Sequence, residues 1–165
     1  MKKIWMIVLL CFVLSSCGMN TAVPVFSDTN DLASELYIRS GLKTNNVYSE
    51  EVEDSLAFAF GISAEEFDEF VDSAVCYRQT VDSSGQTLYV FEMESEKDAA
   101  WFADKAYRSY DWAPCDVSEK ISIACAGKYV ILFKSSAKEV DKVLETFRTL
   151  SGGSLRFHKD LYNPG

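Results

Sequence analysis

Apolar and polar residues recur along the chain with two periods, which separate predicted helices from predicted strands. Apolar residues three and four positions apart predict a helix that begins at Asp28. Its predicted buried face comprises Leu32, Ala33, Leu36 and Tyr37. The same spacing predicts further helices that begin at Ser49, Ser63, Ser95 and Ser136. Most of these serines are followed three positions later by an acidic residue, which is typical of a helix N-terminus.

The predicted helix that begins at Ser49 carries Glu50 and Glu51 in its first turn. Its predicted buried residues are Val52, Leu56, Ala59 and Phe60. Gly61 is expected to end it, because glycine readily adopts the left-handed conformation at a helix C-terminus.

Two pairs of segments rich in Val, Ile, Thr, Tyr and Phe predict β-hairpins. The first pair is 74–81 with 87–93, and the second is 121–126 with 129–135. Apolar and small residues alternate along 121–126 with a period of two, which predicts that Cys125 faces the core.

Together these elements predict an α+β fold. After the N-terminal helices the order is ββαββα, two β-hairpins each followed by a helix, and this favours an antiparallel sheet covered on one face by helices. The two halves could be a duplicated ββα unit. We expect a single domain over 28–150 and a flexible C-terminal tail over 151–165, which begins with a Gly-containing segment.

The N-terminal segment has the layout of a secretory signal. Lys2 and Lys3 precede an apolar run over 4–14, which is shorter than the roughly 20 residues that a membrane-spanning helix needs. The run ends in Leu14-Ser15-Ser16-Cys17, a Leu, two small residues and a Cys, which is the lipobox pattern of bacterial lipoproteins.

The lipobox predicts where the mature protein lies. We expect a signal peptide over 1–16, diacylglycerol on the Cys17 thiol and a tether over 17–27. Two acyl chains are enough for stable anchoring. The predicted location is the extracytoplasmic face of the cell membrane. Cleavage without lipidation and a single membrane-spanning anchor are the alternatives.

Charge excludes some partners. The chain carries 16 basic and 25 acidic residues, a net charge of -9, and loss of Lys2 and Lys3 leaves 14 against 25, or -11. Such a surface repels nucleic acid and anionic lipid head groups. We therefore expect no nucleic-acid partner.

Three cysteines remain in the mature chain once Cys11 and the lipidated Cys17 are set aside. Cys76, Cys115 and Cys125 are an odd number without regular spacing, so they do not indicate a disulfide framework. Buried free thiols are the favoured interpretation, because unpaired Cys behaves as a small apolar residue. A disulfide between Cys115 and Cys125, or between Cys76 and Cys125, is the alternative.

Three features together resemble a known family. They are the lipobox, an acidic helix that ends with Asp54 to Phe60-Gly61-Ile62, and the hairpin sequence Gly127-Lys128-Tyr129-Val130-Ile131-Leu132 followed by a helix. The chain is similar in these to a family of lipoproteins from Gram-positive Firmicutes catalogued as domain of unknown function 4358. The resemblance spans 31–150 and implies a cell-surface lipoprotein without known catalytic residues.

The sequence offers few candidate catalytic groups. The single histidine, His158, lies in the predicted flexible tail, where a Ser-His-Asp arrangement is not expected. Neither a metal-binding motif nor a cofactor motif is present, so no metal and no cofactor are expected. A cluster of carboxylates could suggest a glycosidase. Its members are Glu65, Glu66, Asp68, Glu69 and Asp72. The spacing of all but Glu66 places them on the solvent face of the third helix.

The helix that begins at Ser95 carries a second stripe, distinct from its apolar one. Trp101, Lys105, Arg108 and Trp112 recur at i, i+4, i+7 and i+11. Trp and Arg are enriched where proteins bind partners, so these residues are candidate partner contacts. The alternative is that the tryptophans pack against the sheet while the cations extend into solvent.

The expected function is that of a membrane-anchored binding or accessory module and not of an enzyme. Its partner would be a protein, a peptide or a cell-wall glycan. A hydrolase acting on the cell wall or on a small molecule is one alternative, and a structural or immunity-type lipoprotein is another.

Overall fold

A computed structural model describes residues 26–79, 85–113 and 116–164. Cys17, the predicted signal peptide and Cys115 lie outside the described residues. The helices are α1 (Thr29–Arg39), the 3-10 helix η1 (Asp54–Phe60), α2 (Ala64–Phe70), α3 (Glu96–Ser109) and α4 (Ala137–Leu150). The strands are β1 (Val47–Glu51), β2 (Val71–Gln79), β3 (Thr87–Met93), β4 (Lys120–Ala126), β5 (Tyr129–Ser135) and β6 (Phe157–Tyr162).

The six strands form one antiparallel sheet in the order β1-β2-β3-β5-β4-β6. The predicted α+β class with an antiparallel sheet is therefore confirmed. The central strands are almost entirely buried. Within the described residues, no helix is both long and apolar enough to cross a membrane.

Helices cover both faces of the sheet, so the prediction of a single covered face is wrong. Alternate residues of β4 show this, since Ile123 and Cys125 belong to one apolar cluster and Ala124 belongs to the other. Helices α1 and α4 pack on the Ala124 side, called here the α1/α4 face. Helix α3, η1 and α2 pack on the opposite side, called the α3 face. Ala124 and Ala126, which alternate with the larger apolar residues of β4, are buried on the α1/α4 face.

The two covered faces also argue against a duplicated ββα unit. Strands β3 and β5 are antiparallel neighbours at the centre of the sheet. If the two halves were duplicates, a twofold axis would relate β3 to β5. Because these strands are antiparallel neighbours, that axis would run perpendicular to the sheet and would place the helices of both halves on the same face. Because α3 and α4 lie on opposite faces, such an axis does not relate them.

The predicted helix from Ser49 is replaced by β1 and η1. Ser49 lies in β1, which pairs with the outer edge of β2. In the 3-10 helix that follows, Ala57 and Phe60 are buried while Leu56 and Ala59 are exposed. A 3-10 helix has three residues per turn, so Ala57 and Phe60 lie on the same face. The α-helical period instead placed Leu56, Ala59 and Phe60 on the buried face. Gly61 ends the helix with φ of 77°, as predicted.

The predicted flexible tail contains the edge strand β6. Phe157 pairs with Cys125 and Tyr162 with Lys120, so β6 runs along the outer side of β4. Phe157 and Leu161 pack partly buried against the α3 face. The folded domain therefore extends beyond 150, through Tyr162.

Candidate functional site

The four residues of the predicted stripe do not share one helical face. Helix α3 ends at Ser109, so Trp112 lies in the extended segment that follows it. The Trp101 ring packs edge-on against Phe70, with 5.1 Å between ring centroids. Trp112 packs against Tyr110 at 5.2 Å. Both indoles are partly buried against the α3 face, so their positions match the packing alternative.

The two cations of the stripe lie on the outer side of α3. Lys105 Nζ is 5.8 Å from the centroid of the Trp101 ring. Arg108 is exposed and forms an ion pair with Asp104, one turn earlier, at 2.7 Å. An exposed pair of this kind contributes little to stability, so Arg108 remains accessible to a partner, while Lys105 is half-buried.

An apolar protrusion lies on the neighbouring 3-10 helix. Phe58 is 76% exposed and Leu56 is also exposed, whereas Phe60 on the inner side packs against Phe91 at 4.9 Å. Exposed positions of η1 were assigned incorrectly from the sequence, because the α-helical period places Leu56 inside. A three-residue period applied to 54–60 would have identified Phe58 as outward-facing.

Gly61 joins this protrusion to α3. A Cβ at Gly61 would lie 2.0 Å from Ser109 Oγ and 3.3 Å from the Lys105 carbonyl oxygen, so the two elements are in direct contact. Phe58 is one turn before Gly61, and its carbonyl accepts a hydrogen bond from the Gly61 N–H. Leu56, Phe58, Lys105 and Arg108 are called here the α3–η1 surface.

A buried polar cluster lies between β4, β6 and α4. Lys120 is only 4% exposed, and its ammonium donates to Asp141 at 2.6 Å and lies 2.8 Å from Asp160. Burial alone would lower the pKa of Lys120, but the two carboxylates raise it above its ordinary value. This cluster holds the edge strand β6 and helix α4 to the sheet.

The same cluster contains a serine, a histidine and an aspartate. Ser122 Oγ and Asp160 Oδ1 lie 3.1 Å and 2.9 Å from one ring nitrogen of His158, Nε2. A nucleophilic relay requires the serine and the carboxylate on different ring nitrogens. Ser122 is also buried. The arrangement therefore suits a structural hydrogen-bond network, which the predicted position of His158 in a flexible tail did not foresee.

Asp160 is the negatively charged member of the group that it forms with Ser122 and His158. Burial acts to raise the pKa of Asp160, but hydrogen bonds with Lys120, Ser122 and His158 lower it overall. Asp160 is therefore ionised at neutral pH and is not available as a general acid.

The carboxylates of α2 are on its outer side, as predicted, but α2 ends at Phe70 and Asp72 lies in β2. Glu65, Asp68 and Glu69 are exposed, opposite the buried Phe67. Glu66 accepts a hydrogen bond from the Ser63 N–H, which completes the predicted capping box. In the ranges 26–79, 85–113 and 116–164, His, Cys, Asp and Glu side chains form no group that could hold a metal ion.

Cys76 and Cys125 are buried free thiols, as the favoured interpretation predicted, and Cys115 lies outside the described residues. Burial raises the pKa of Cys76 and raises that of Cys125 to about 11. Both thiols therefore remain protonated and unreactive at neutral pH.

No protein-family model, curated protein or solved structure matches the chain. The resemblance to domain of unknown function 4358 stays a prediction.

Proposed function

We propose that the protein is a lipoprotein anchored through Cys17 to the outer face of a Gram-positive cell membrane, where it binds another protein. The two predicted hairpin–helix segments, in ββαββα order, form the body of this module. The α3–η1 surface is the contact with the partner. The lipobox and its leader support the anchor, and the exposed side chains of the described residues support the contact.

The observation that carries the proposal is the exposure of Phe58. A phenylalanine that is 76% exposed leaves a large apolar ring in water, and such residues mark contact sites when other apolar and cationic groups surround them. Leu56, two residues earlier on η1, is also exposed, and the cations of α3 are on the neighbouring element.

The chemistry of this surface favours a protein over a glycan. Sugars are bound on flat aromatic faces, but the two tryptophans that could supply such faces are packed against Phe70 and Tyr110. A protruding Phe with an aliphatic neighbour instead fits an apolar pocket on a protein. The anchor would confine both molecules to one membrane and raise their effective concentration.

Affinity capture from the membranes of the source cells tests the contact. The wild-type lipoprotein is expected to retain one specific protein, and Phe58→Ser is expected to reduce its recovery by at least about tenfold, as for a residue central to an interface. Because Phe58 is exposed, the substitution should change stability by less than about 0.5 kcal/mol.

Ile38→Ser provides the matched control. Ile38 is an apolar residue of α1 that is 66% exposed, and α1 packs on the opposite face of the sheet. This variant should retain the partner. Equal recovery with Phe58→Ser and wild type, or equal loss with both serine variants, would contradict the proposed contact.

A further inference from the structure

The two outer strands of the sheet each have one unpaired side within the described residues. Strands β1 and β6 are the first and the last in the strand order, so each pairs with a single neighbour. An unpaired side presents a row of backbone N–H and C=O groups that a further strand can bind. Each of these strands also carries an exposed aromatic side chain, since Tyr48 is 39% and Tyr162 is 65% exposed. Both edges are therefore candidate contacts.

The backbone groups that face outward follow from the alternation of hydrogen bonds along antiparallel strands. At the end of β1 the Val52 N–H donates to the Ala74 carbonyl, so every second residue counted back from Val52 bonds to β2. After β6 the Asn163 N–H donates to the Glu119 carbonyl, so every second residue counted back from Asn163 bonds to β4. The outward sets are Val47, Ser49 and Glu51 on β1, and His158, Asp160 and Tyr162 on β6.

The direction of the two edge strands allows one copy of the chain to continue the sheet of another. The sheet has six strands, each antiparallel to its neighbours, so β1 and β6 run in opposite directions. A second copy placed head-to-tail therefore brings its β1 antiparallel to β6 of the first. The α1/α4 faces of the two copies then lie on the same side of the joined sheet.

One register of this pairing matches the chemistry of the two strands along their length. It places the outward set of β6 opposite the outward set of β1. The apolar pairs are Tyr162–Val47 and Leu161–Tyr48, and the polar pairs are His158–Glu51, Lys159–Glu50 and Asp160–Ser49. The two members of each pair lie on the same face of the sheet, so their side chains meet.

Other pairings of the edges lose this match. A shift of two residues in one direction places Asp160 opposite Glu51, and a shift in the other direction places Lys159 opposite Tyr48. Two β6 strands paired about their centre place Asp160 opposite itself. Two β1 strands bring Glu50 and Glu51 of both copies together. Like charges directly opposite one another destabilise a strand pair, so the head-to-tail register is favoured.

We propose that copies of this chain associate head-to-tail, with β6 of one copy paired antiparallel to β1 of the next. The contact goes beyond the proposed protein partner, because neither strand contributes to the α3–η1 surface. It involves one pair of strands, so it is weak between free chains, and attachment to a common membrane strengthens it by raising the effective concentration.

The twist of the sheet limits the size of this assembly. Successive strands are turned by roughly 20–25°, so six strands turn the next copy by more than about 90°. Anchoring to one membrane therefore favours pairs of copies over long filaments.

Disulfide trapping in the membranes of cells that make the intact lipoprotein tests the register. Lys159 and Glu50 form a non-hydrogen-bonded pair in it, as do Leu161 and Tyr48, with Cα atoms about 4.5 Å apart, which a disulfide can span. Glu50→Cys with Lys159→Cys, and Tyr48→Cys with Leu161→Cys, should each give at least about tenfold more disulfide-linked dimer than wild type after mild oxidation. Non-reducing electrophoresis measures the dimer.

Exchanging the partners supplies controls from the same four substitutions. Glu50→Cys with Leu161→Cys, and Tyr48→Cys with Lys159→Cys, place the thiols on diagonal neighbours about 7–8 Å apart, which is too far for a disulfide. These pairs and each single variant should stay at the wild-type level. Equal dimer in matched and exchanged pairs, no dimer in either, or dimer with Lys159→Cys alone would overturn the proposal. Should the Leu161 variants fail to fold, the two Lys159 combinations still decide.

Charge exchange tests the Lys159–Glu50 pair with a separate readout. Added to Tyr48→Cys with Leu161→Cys, Lys159→Glu places two carboxylates opposite one another and should reduce the dimer about two- to fivefold. Further addition of Glu50→Lys should restore it. An unchanged dimer with Lys159→Glu would overturn the pairing. Because Phe58 lies on neither strand, failure of the partner capture and failure of this cross-link are independent results.

Discussion

Lys120→Met is expected to lower the free energy of unfolding by about 3–5 kcal/mol, the loss typical when one partner of a buried ion pair is removed. The ammonium of Lys120 lies 2.8 Å from Asp160, which is itself mostly buried. The variant leaves that carboxylate without its cation between β6 and α4. Asp141 is well exposed and can be hydrated, so most of the loss should come from Asp160. Urea unfolding followed by circular dichroism measures the change.

Two further variants and the pH dependence check this account. Lys138→Met removes an exposed lysine and should alter stability by less than about 0.5 kcal/mol. Adding Asp160→Leu to Lys120→Met should restore part of the loss, since a buried pair can be replaced by apolar residues. A loss below about 1 kcal/mol for Lys120→Met would contradict the buried pair.

The directions of the pKa shifts determine how the stabilisation by the Lys120–Asp160 pair changes with pH. The pKa of Lys120 is raised on folding, so its contribution is complete below about pH 10.4 and disappears as pH rises through the folded pKa. The pKa of Asp160 is lowered on folding, so its contribution is complete above about pH 3.9 and disappears at more acidic pH. The difference between wild type and Lys120→Met should therefore be largest between these limits and shrink toward both, since loss of Lys120 lets burial raise the pKa of Asp160 in the variant.

Gly61→Ala is expected to destabilise the fold by about 2–5 kcal/mol, from backbone strain and overpacking together. Gly61 has φ of 77°, which disfavours any residue with a Cβ. The new Cβ would also lie 2.0 Å from Ser109 Oγ and 2.4 Å from Ser109 Cβ. Because Ser109 Cβ is fixed to the backbone of α3, η1 and α3 must move apart. Thermal and urea unfolding would measure the loss.

Gly153→Ala separates the two contributions. Gly153 has φ of 88°, and a Cβ there would meet no atom within 4 Å. This control should therefore lose only the strain of the left-handed conformation, about 1–2 kcal/mol. Equal losses in the two variants would mean that η1 does not press against α3, and the α3–η1 surface would then not be continuous.

Local signals in the sequence predicted the helices better than the sheet edges. Asp28, Ser63 and Ser95 each accept a hydrogen bond from a backbone N–H of the first turn, so their helices begin where the sequence indicated. Ser136 differs, because its hydroxyl donates to the Glu139 carboxylate and does not cap the backbone. Helix α4 nevertheless begins at Ala137, since its apolar face determines its position.

The edge strands β1 and β6 form because they pair with neighbouring strands, and no local sequence pattern indicates that pairing. In β1, Val47 is half-buried and the remaining residues are exposed, so it lacks alternation and is stabilised by pairing with β2. In β6, residues from Phe157 to Tyr162 mix charged and apolar side chains, and only the register against β4 makes them a strand.

The polar cluster was missed for the same reason. Ser122 is opposite Asp160, and Ala124 is opposite His158, although these partners are more than 30 residues apart in the chain. The sequence identified Trp101 and Trp112 as candidate contacts because of their type and spacing. Trp101 packs on Phe70 of α2, and Trp112 packs on Tyr110 beyond the end of α3, and the spacing alone predicted neither contact.

The most direct test of the proposed function is photo-cross-linking in living cells of the source organism. A photoreactive amino acid at position 58 of the lipidated protein is expected to form an adduct with a single protein. The same group at position 38 should form no such adduct, and Cys17→Ser should reduce the position-58 adduct by releasing the protein from the membrane. No adduct at position 58, or the same adducts at both positions, would contradict the account.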